Sequence, residues 1–532
     1  MLIKIIIMII YIGVIGYLGF LGYKNTKSNR DYLIAGRKIH PMIMALSYGA
    51  TFISTSAIVG FGGNAGVFGM GLLWLTFMNI FFGIFIAFLV FGKRTRKIGH
   101  NMEAHTFPEF LGKRFQSRLI QKFSGWVVFI FMPVYAAAVM IGAAKIIESS
   151  LGIEYNAALF TFAIIVAAYV FFGGLKGVMY SDAFQGSIMF LGMLTLVIWV
   201  YAKLGGVTSA HQQLTDLFSN PAIADQIKGL VAGGFQGWTS MPEMFSQYWW
   251  IVVSTLVLGV GIGVLAQPQL AVRFMTVKSD RELNRAISAG GVFILMMTGV
   301  AFTVGALSNV LFFQETGKIA VASAGGTDNI IPVFMDSFMP PWFSATFLVV
   351  LIAAGMSTLS SQFHAIGTAV GRDLFDTSRK SDKVAMLISR LGVFIGILVT
   401  VFLAYTLPAV WDGAIAISTV LFFGVCAASF LPVYFGALYI RKLSRKAAVS
   451  GMLSGFSVSM LWMMFIHSKE ATVLGVSQLL FGRPFLFDSA IQFVNPVIVS
   501  LLTSIVVTVV VGVLTRPDVE ESHLRECFKG LS

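Results

Sequence analysis

The 532-residue chain is 57% hydrophobic and only 11% charged, whereas a soluble domain carries about 25% charged residues. This composition excludes a mainly soluble architecture and indicates a polytopic membrane protein. The net charge of +13 does not indicate a nucleic-acid partner, because the basic residues cluster in short loops between apolar runs.

Apolar runs follow one another along the whole chain. A membrane-spanning helix needs about 20 apolar residues, and this length predicts about thirteen spans in an all-α polytopic membrane protein. The predicted spans are residues 3–23, 42–64, 68–92, 124–147, 156–173, 183–203, 248–271, 287–312, 341–369, 385–407, 413–438, 447–467 and 493–514.

Basic residues follow every odd-numbered span and are sparse in the other loops. The positive-inside rule therefore predicts an external N-terminus and a cytoplasmic C-terminus in a multi-pass protein of the cell membrane. Residues 515–532 form the predicted cytoplasmic tail. The basic residues that support this topology are Lys24, Lys27, Arg30, Arg37, Lys38, Lys93, Arg94, Arg96, Lys97, Lys113, Arg114, Lys176, Arg273, Lys278, Arg281, Arg285, Arg372, Arg379, Lys380, Arg441, Lys442, Arg445 and Lys446.

Two predicted spans are unusually rich in glycine. The second contains "YGATFISTSAIVGFGGNAGVFGMG", and the seventh contains "LVLGVGIGVLAQPQL" with Pro268 near its end. They lie five spans apart and so cross in opposite directions. Interrupted spans in corresponding positions indicate a transporter built from inverted repeats, here residues 42–203 and 248–438. An extra helix at 3–23 and two helices within 447–514 would flank these repeats. Close helix packing by glycine is the alternative.

A row of hydroxyl groups interrupts the ninth predicted span, in the stretch "AAGMSTLSSQFH" that begins at Ala353. Ala354, Ser357 and Thr358 share one helix face, because residues three and four apart are neighbours on a helix. Buried hydroxyls need partners. They bond back to their own helix, pack against another helix or bind a ligand, and the pattern alone leaves these alternatives open.

The chain resembles the solute:sodium symporter family over nearly its whole length. The motifs that carry the resemblance occur in order along the chain, and the signature around Gly173 to Gly186 is fairly specific. They are "DYLIAGRKIHP", "SYGATFISTSAIVGFGG", "HTFPEFLGKRF", "FFGGLKGVMYSDAFQG", "AQPQLAVRFMTVKS", "AAGMSTLSSQFH" and "GRDLF". The resemblance implies a LeuT-like fold with a 5+5 inverted repeat and sodium-coupled alternating access.

The same resemblance implies a Na⁺ site in the middle of the bundle. The carbonyl of Ala354 and the hydroxyls of Ser357 and Thr358 would join the carbonyls of Ala50 and Ile53, which are freed where the second span breaks. Oxygen ligands suit a hard cation.

The resemblance also implies a role for Asp182, which lies in "YSDAFQG" at the predicted start of the sixth span. Its carboxylate would lie on the path by which sodium leaves. Capping of a helix together with Ser181 is the alternative, since Asp is stabilising at a helix N-terminus.

Candidate residues for the solute pathway are Phe52, Ser54, Ala57, Gly263 and Gln267. Phe52 stands where the proline branch carries Asp, and Ala57 stands where the sugar branch carries Gln. A sugar is disfavoured, because a hydroxyl-rich ligand needs several polar partners. We therefore predict a small carboxylate-bearing solute: a monocarboxylate, pantothenate or an amino acid such as proline.

The chain shows no catalytic constellation, so the sequence predicts a secondary active transporter rather than an enzyme. Two other function classes stay open. An ion channel would use the hydroxyl row as a pore lining and would show conductance without concentrative uptake. A symporter-like sensor would need a signalling domain, which the short tail does not offer.

Overall fold

A computed structural model describes residues 2–25, 33, 35, 39–375 and 381–531, and most of them are helical. The basic residues Lys27, Arg30, Arg37, Lys38, Arg379 and Lys380 lie outside the described residues, as does most of the motif "DYLIAGRKIHP". The helices of the first half are α1 (Leu2–Asn25), α2 (Pro41–Phe52), α3 (Gly62–Phe68), α4 (Leu73–Ile80), α5 (Lys93–Asn101), α6 (Phe107–Arg114), α7 (Arg118–Leu151), α8 (Tyr155–Lys203), α9 (Val207–Phe218), α10 (Ala224–Ala232) and α11 (Gln247–Trp250). The later helices are α12 (Gly259–Gly263), α13 (Pro268–Phe274), α14 (Asp280–Ile294), α15 (Val300–Thr316), α16 (Ala320–Ala324), α17 (Ile330–Phe338), α18 (Pro341–Thr368), α19 (Asp382–Val410), α20 (Ala414–Tyr439), α21 (Arg445–Phe465), α22 (Ser468–Leu474), α23 (Val476–Phe481), α24 (Pro496–Leu514) and α25 (Glu521–Cys527).

Wider π-type and tighter 3₁₀ turns continue several of these helices. The π-type segments are Ser56–Phe61, Phe81–Gly92, Ile251–Leu258, Leu295–Gly299 and Ala369–Leu374. The 3₁₀ segments are Gly69–Leu72, Pro221–Ile223, Val264–Ala266, Thr327–Asn329 and Ala490–Phe493.

Within the described residues, eleven helical stretches are long and apolar enough to cross a membrane. At two places, predicted spans are joined in one helical stretch rather than separated by a loop. Ser56–Asn101 forms one stretch that takes in the third predicted span and part of the second, and its chain turns at Gly69, where φ is +80°. The helix α8 holds both the fifth and the sixth predicted spans. Helical hydrogen bonding continues through the predicted link between these two spans, which contains no proline that would interrupt a helix, although the contacts of α1 show that the chain turns back there.

The two ends of the described chain lie at opposite ends of α7. Lys4 of α1 donates to the carbonyl of Ser150, in the last turn of α7, at 2.8 Å. Near the other end, Arg445 donates to the carbonyl of Phe115 at 3.0 Å, and the backbone of Glu520 donates to Gln116 at 3.3 Å. Because α7 has 34 residues and is therefore about 51 Å long, these ends are separated by a membrane thickness. Which end faces the cytoplasm stays a prediction.

The first helix packs along α8 and shows that α8 reverses direction. The backbone of Gly177 approaches Gly22, near the end of α1. Further along α8, Gln185 donates to the hydroxyl of Tyr11, halfway back along α1, at 2.8 Å. The helix α8 begins four residues after α7 ends, near Lys4. Its first part therefore runs alongside α1 as far as Gly22, and its second part turns back toward Tyr11. Tyr11 also lies 3.8 Å from the sulfur of Met356 in α18.

Both glycine-rich spans are interrupted, the second near its middle and the seventh near its end. The helix α2 ends at Phe52, and Ile53 has an extended backbone with ψ of 108° before helical structure resumes at Ser56. The 3₁₀ turn that ends at Ala266 is followed by Gln267, whose ψ is 117°. Pro268 then starts α13, which suits proline because the first helical residue has no N–H partner. These breaks leave backbone groups without partners in their own helices.

Candidate cation and solute site

The hydroxyl row of α18 lies against the break of α2. The hydroxyl of Ser357 donates to the carbonyl of Ala50 at 2.8 Å and lies 3.2 Å from that of Ala354. The hydroxyl of Thr358 contacts the carbonyls of Thr51 at 3.2 Å and Ala50 at 3.4 Å. All of these residues are buried. The structure therefore gathers hydroxyl and carbonyl oxygens at the point where α2 ends.

Four of the predicted sodium ligands are brought together here: Ala50, Ala354, Ser357 and Thr358. The fifth, Ile53, directly follows the last residue of α2, and its N–H donates to the carbonyl of Gly49 at 2.8 Å. Within the described residues, Ile53 makes no hydrogen bond to α18. The carbonyl of Thr51 joins the cluster, and the sequence did not predict it.

Asp182 and Arg273 form a buried ion pair next to this cluster. Arg273 Nη2 lies 2.9 Å from Asp182 Oδ2, and each side chain is at most 1% exposed. Hydroxyl groups surround the pair: Ser47 lies 2.9 Å from Asp182, and Thr51 and Ser361 lie 2.5 and 2.6 Å from Arg273. Thr51 and Ser361 are themselves 2.9 Å apart. The pair is thus tied to both α2 and α18.

The structure corrects the prediction that Arg273 is a loop residue that sets the topology. Its side chain is fully buried, because α13 restarts after the break at Gln267 and directs Arg273 into the bundle. The guanidinium also donates to the carbonyl of Gln269, one turn earlier, at 2.7 Å. Removing one partner of a buried ion pair costs about 3–5 kcal/mol, so Asp182 and Arg273 depend on each other.

The capping alternative for Asp182 is wrong. Asp182 lies in the interior of α8, and the hydroxyl of Ser181 bonds to the carbonyls of Gly177 and Val178 in the preceding turn. Asp182 Oδ1 has no hydrogen-bond partner among the described residues. Asp182 instead pairs with Arg273 beside the hydroxyl row, and its role on the ion path stays a prediction.

The predicted solute residues lie around the two breaks, with different surroundings. Phe52 and Ser54 are buried at the first break, and Ala57 is partly buried one turn later. Gly263 packs so closely on Phe423 that a Cβ would meet its backbone oxygen at 2.8 Å, which indicates tight helix packing. Gln267 is buried and donates back to the carbonyl of Gly263 at 3.2 Å.

An aromatic cluster joins the two breaks. The Tyr135 hydroxyl lies 3.5 Å from the Ser54 hydroxyl. The Tyr135 ring stacks on Phe422 at 5.8 Å and meets Phe423 edge-on at 5.2 Å. Phe423 is the residue against which Gly263 packs. Sequence reasoning missed Tyr135 and Phe423, because aromatic residues in apolar spans carry no distinguishing spacing.

A helical membrane bundle in which two broken spans meet a row of buried hydroxyls has the architecture of an ion-coupled transporter. The family model described as "Sodium:solute symporter family" matches residues 32–455, and the chain belongs to that family. It is a sodium-coupled secondary transporter of small solutes, not an enzyme, and a multi-pass protein of the plasma membrane.

Two curated relatives match most of the chain. The osmoregulated proline transporter OpuE of Bacillus subtilis is 27% identical over 501 residues, which cover 90% of this chain and 91% of that protein. The sodium/proline symporter of Staphylococcus aureus is 28% identical over 512 residues, which cover 91% and 88% of the two chains.

Solved structures share the fold. A Na⁺-coupled sialic acid symporter in a substrate-bound outward-open state matches with a TM-score of 0.74 and 16% identity, over 97% of this chain and 98% of that chain. Mhp1, a nucleobase-cation-symport-1 family transporter in a closed conformation, matches with a TM-score of 0.50 and 14% identity, over 94% and 98% of the two chains. The all-helical transporter fold is therefore confirmed.

Proposed function

We propose that this protein imports a small carboxylate-bearing solute together with Na⁺ by alternating access, and that an amino acid of the proline type is the leading solute. Both curated relatives are named for proline transport, which favours proline over the monocarboxylate and pantothenate alternatives. Solute identity is the part of the proposal that uptake measurements must decide.

One observation carries the sodium part of the proposal. The hydroxyls of Ser357 and Thr358 touch carbonyls of Ala50 and Thr51, where α2 ends. A cation placed there would receive neutral oxygens from two helices that belong to different predicted repeats. Its binding would draw α2 and α18 together, and its release would let them separate.

The solute would bind between the breaks, beside Tyr135 and Phe423. Helical structure resumes at Ser56, and the first N–H groups of such a segment point toward the break, where they suit a carboxylate. The rings suit the apolar body of the solute. Phe52 supplies no charge for an ammonium group, so we expect carbonyl oxygens at the breaks to hold it.

Alternating access would move the two repeats, residues 42–203 and 248–438, against each other. We propose that α1 and the helices within 447–514 flank these moving parts. This arrangement follows the two interruptions, which lie near the starts of the two predicted repeats.

Uptake into proteoliposomes tests the proposal. Labelled proline, a labelled monocarboxylate and labelled pantothenate are offered with an inward Na⁺ gradient, and with K⁺ in its place. We expect concentrative uptake of one solute only with Na⁺. Tyr135→Phe, which removes only the hydroxyl, should raise the solute concentration for half-maximal uptake and leave the sodium dependence unchanged.

The channel and sensor alternatives give different results in the same preparation. Conductance without accumulation of any solute would indicate a channel. Solute binding without transport or conductance would indicate a sensor, and either result would contradict the proposal.

A further inference from the structure

A small cavity lies directly beyond the Asp182–Arg273 pair. Its volume is about 20 Å³, which is enough for one water molecule or one small ion. Arg273 and Ser361 line it on the side of the hydroxyl row, and Thr106 and Asp373 line it as well. The cavity thus continues the polar path that begins at the proposed sodium site.

The path to this cavity is continuous in hydrogen bonds. Ser361 donates to the carbonyl of Ser357 at 3.1 Å. The same hydroxyl lies 2.9 Å from Thr51 and 2.6 Å from Arg273. Ser357 belongs to the proposed sodium site and Arg273 lines the cavity, so polar groups lead from one to the other.

Asp373 is a buried carboxylate whose charge is incompletely compensated. It lies in the segment Ala369–Leu374, which continues α18, and it is 2% exposed. Its Oδ1 accepts from the Thr106 hydroxyl at 2.8 Å and from the Gln121 amide at 3.0 Å. Its Oδ2 has no hydrogen-bond partner in the described part of the chain.

Glu109 makes the direct ion pairs with the neighbouring cations, although the charge of Arg372 also acts on Asp373. Arg372 and Lys113 lie 2.8 and 2.9 Å from Glu109, and His105 lies 3.5 Å away. Burial raises the pKa of Glu109, yet its hydrogen bonds to His105 and Arg372 and the charges of Arg372 and Lys113 hold that pKa below its ordinary value. Glu109 therefore stays ionised and holds these cations, while Asp373 has hydroxyl and amide donors on one oxygen only.

We propose that Asp373 forms a second Na⁺-binding site, at which the ion pauses between the hydroxyl row and the predicted cytoplasmic surface. The site rests on the proposed sodium coupling. A carboxylate oxygen with neighbouring hydroxyls is a ligand set for a hard cation. Asp182 already holds Arg273, whereas Asp373 keeps Oδ2 without a hydrogen-bond partner among the described residues, so an ion that leaves Ser357 finds an available carboxylate oxygen there.

Sodium binding without solute tests this site. Purified full-length protein is titrated with ²²Na⁺, and wild type is compared with Asp373→Asn and Asp373→Glu. We expect wild type to show two classes of sites. Asp373→Asn should lose one class, with an affinity at least about tenfold weaker, because the ion loses a charged ligand in a buried place. Asp373→Glu keeps the charge but displaces the carboxylate, so it should retain that class with an affinity between those of wild type and Asp373→Asn.

A second comparison separates this inference from the proposed function. Ser357→Ala should lose the other class of sites and keep the one that depends on Asp373. If Ser357→Ala binds Na⁺ as wild type does but Asp373→Asn does not, the hydroxyl-row site is wrong and the Asp373 site stands. Equal ²²Na⁺ binding by Asp373→Asn and wild type would overturn the Asp373 site, whatever Ser357→Ala shows.

Folding is checked by thermal unfolding of each variant in detergent. Asn at position 373 keeps the oxygen that accepts from Thr106 and Gln121, so we expect Asp373→Asn to fold. If it unfolds instead, Asp373→Glu decides the matter. A weaker Na⁺ affinity in that folded variant supports the site, since the displaced carboxylate alters ligand geometry, and an unchanged affinity contradicts it.

Discussion

Replacing Ser357 by Ala is the sharpest test of the proposed sodium site. The substitution removes the oxygen that bonds to the carbonyl of Ala50 at 2.8 Å and adds no bulk. A buried polar group that loses its partner costs about 1–3 kcal/mol. The apparent sodium affinity should therefore fall by roughly tenfold to hundredfold. Thr358→Ala should act in the same direction, since its hydroxyl contacts the carbonyls of Ala50 and Thr51.

Ser360→Ala is the matched control. Ser360 is equally buried and stands in the same helix, but its hydroxyl bonds only to the carbonyl of Ser357 one turn earlier, at 3.0 Å, among the described residues. The assay is the sodium dependence of solute uptake in proteoliposomes at equal protein content. We expect Ser360→Ala to stay close to wild type. Wild-type sodium dependence in both Ser357→Ala and Thr358→Ala would refute the site and favour simple helix packing.

Three further predictions address topology, the ion pair and pH. For topology, a membrane-impermeant thiol reagent should label Leu479→Cys but not Arg525→Cys in intact cells. Both positions are highly exposed, and the first is predicted outside the cell and the second in the cytoplasm. The reverse labelling pattern would show that the predicted topology is inverted. Asp182→Asn should slow sodium-coupled turnover more than it weakens solute binding. Asp182→Asn should also lower the unfolding temperature, because it leaves the buried charge of Arg273 unpaired at a cost of about 3–5 kcal/mol. The double variant with Arg273→Met should regain stability without regaining turnover. Wild-type turnover in Asp182→Asn would contradict a role of Asp182 in sodium transport. Burial raises the pKa of Asp328, in the 3₁₀ segment Thr327–Asn329, to about 6. The proton bound to Asp328 therefore stabilises the folded state below about pH 4. This stabilisation, up to about 3 kcal/mol, is lost as the pH rises through the folded pKa. The free energy of unfolding of wild type should therefore fall relative to that of Asp328→Asn between about pH 4 and pH 6, by up to about 3 kcal/mol. Parallel curves for the two proteins would show that Asp328 does not titrate this way.

The hydroxyl row could be noticed in the sequence because its signals are local, but its assignment to sodium came from the resemblance to the family and stays a prediction. Ser357 and Thr358 stand one helical turn from Ala354, and hydroxyls in a charge-free span are rare enough to notice. The breaks could also be anticipated, since glycine-rich stretches and Pro268 interrupt helices through backbone chemistry that the sequence displays directly.

The residues that were missed depend on tertiary contacts. The sequence predicts Arg273 as a loop residue, because a charged residue near the end of an apolar run usually lies at the membrane surface. Only the restart of α13 after Gln267 directs it inward to Asp182. The sequence did contain one signal for this pair. Asp182 and Arg273 each border an apolar span, and charged residues in such positions often pair with one another.

Tyr135 and Phe423 illustrate a second limit. Each is one of many aromatic residues in the spans, and only the packing of α7 against α20 brings the two rings to 5.2 Å. Their relation to the break at Ser54 comes from three segments distant in sequence. No periodicity within one segment contains that information.

The position of Tyr11 has a practical consequence for anyone who trims or tags this protein. Its hydroxyl accepts from Gln185 on the helix of Asp182 and lies beside Met356, the residue before Ser357. Shortening the chain to the two repeats would leave the buried amide of Gln185 without this partner, next to the proposed ion path. A weakened sodium response in such a truncated protein would therefore reflect the loss of the Tyr11–Gln185 hydrogen bond. It would not define the smallest part of the chain that transports. Purification handles are better placed after α25, at the end of the chain remote from Tyr11.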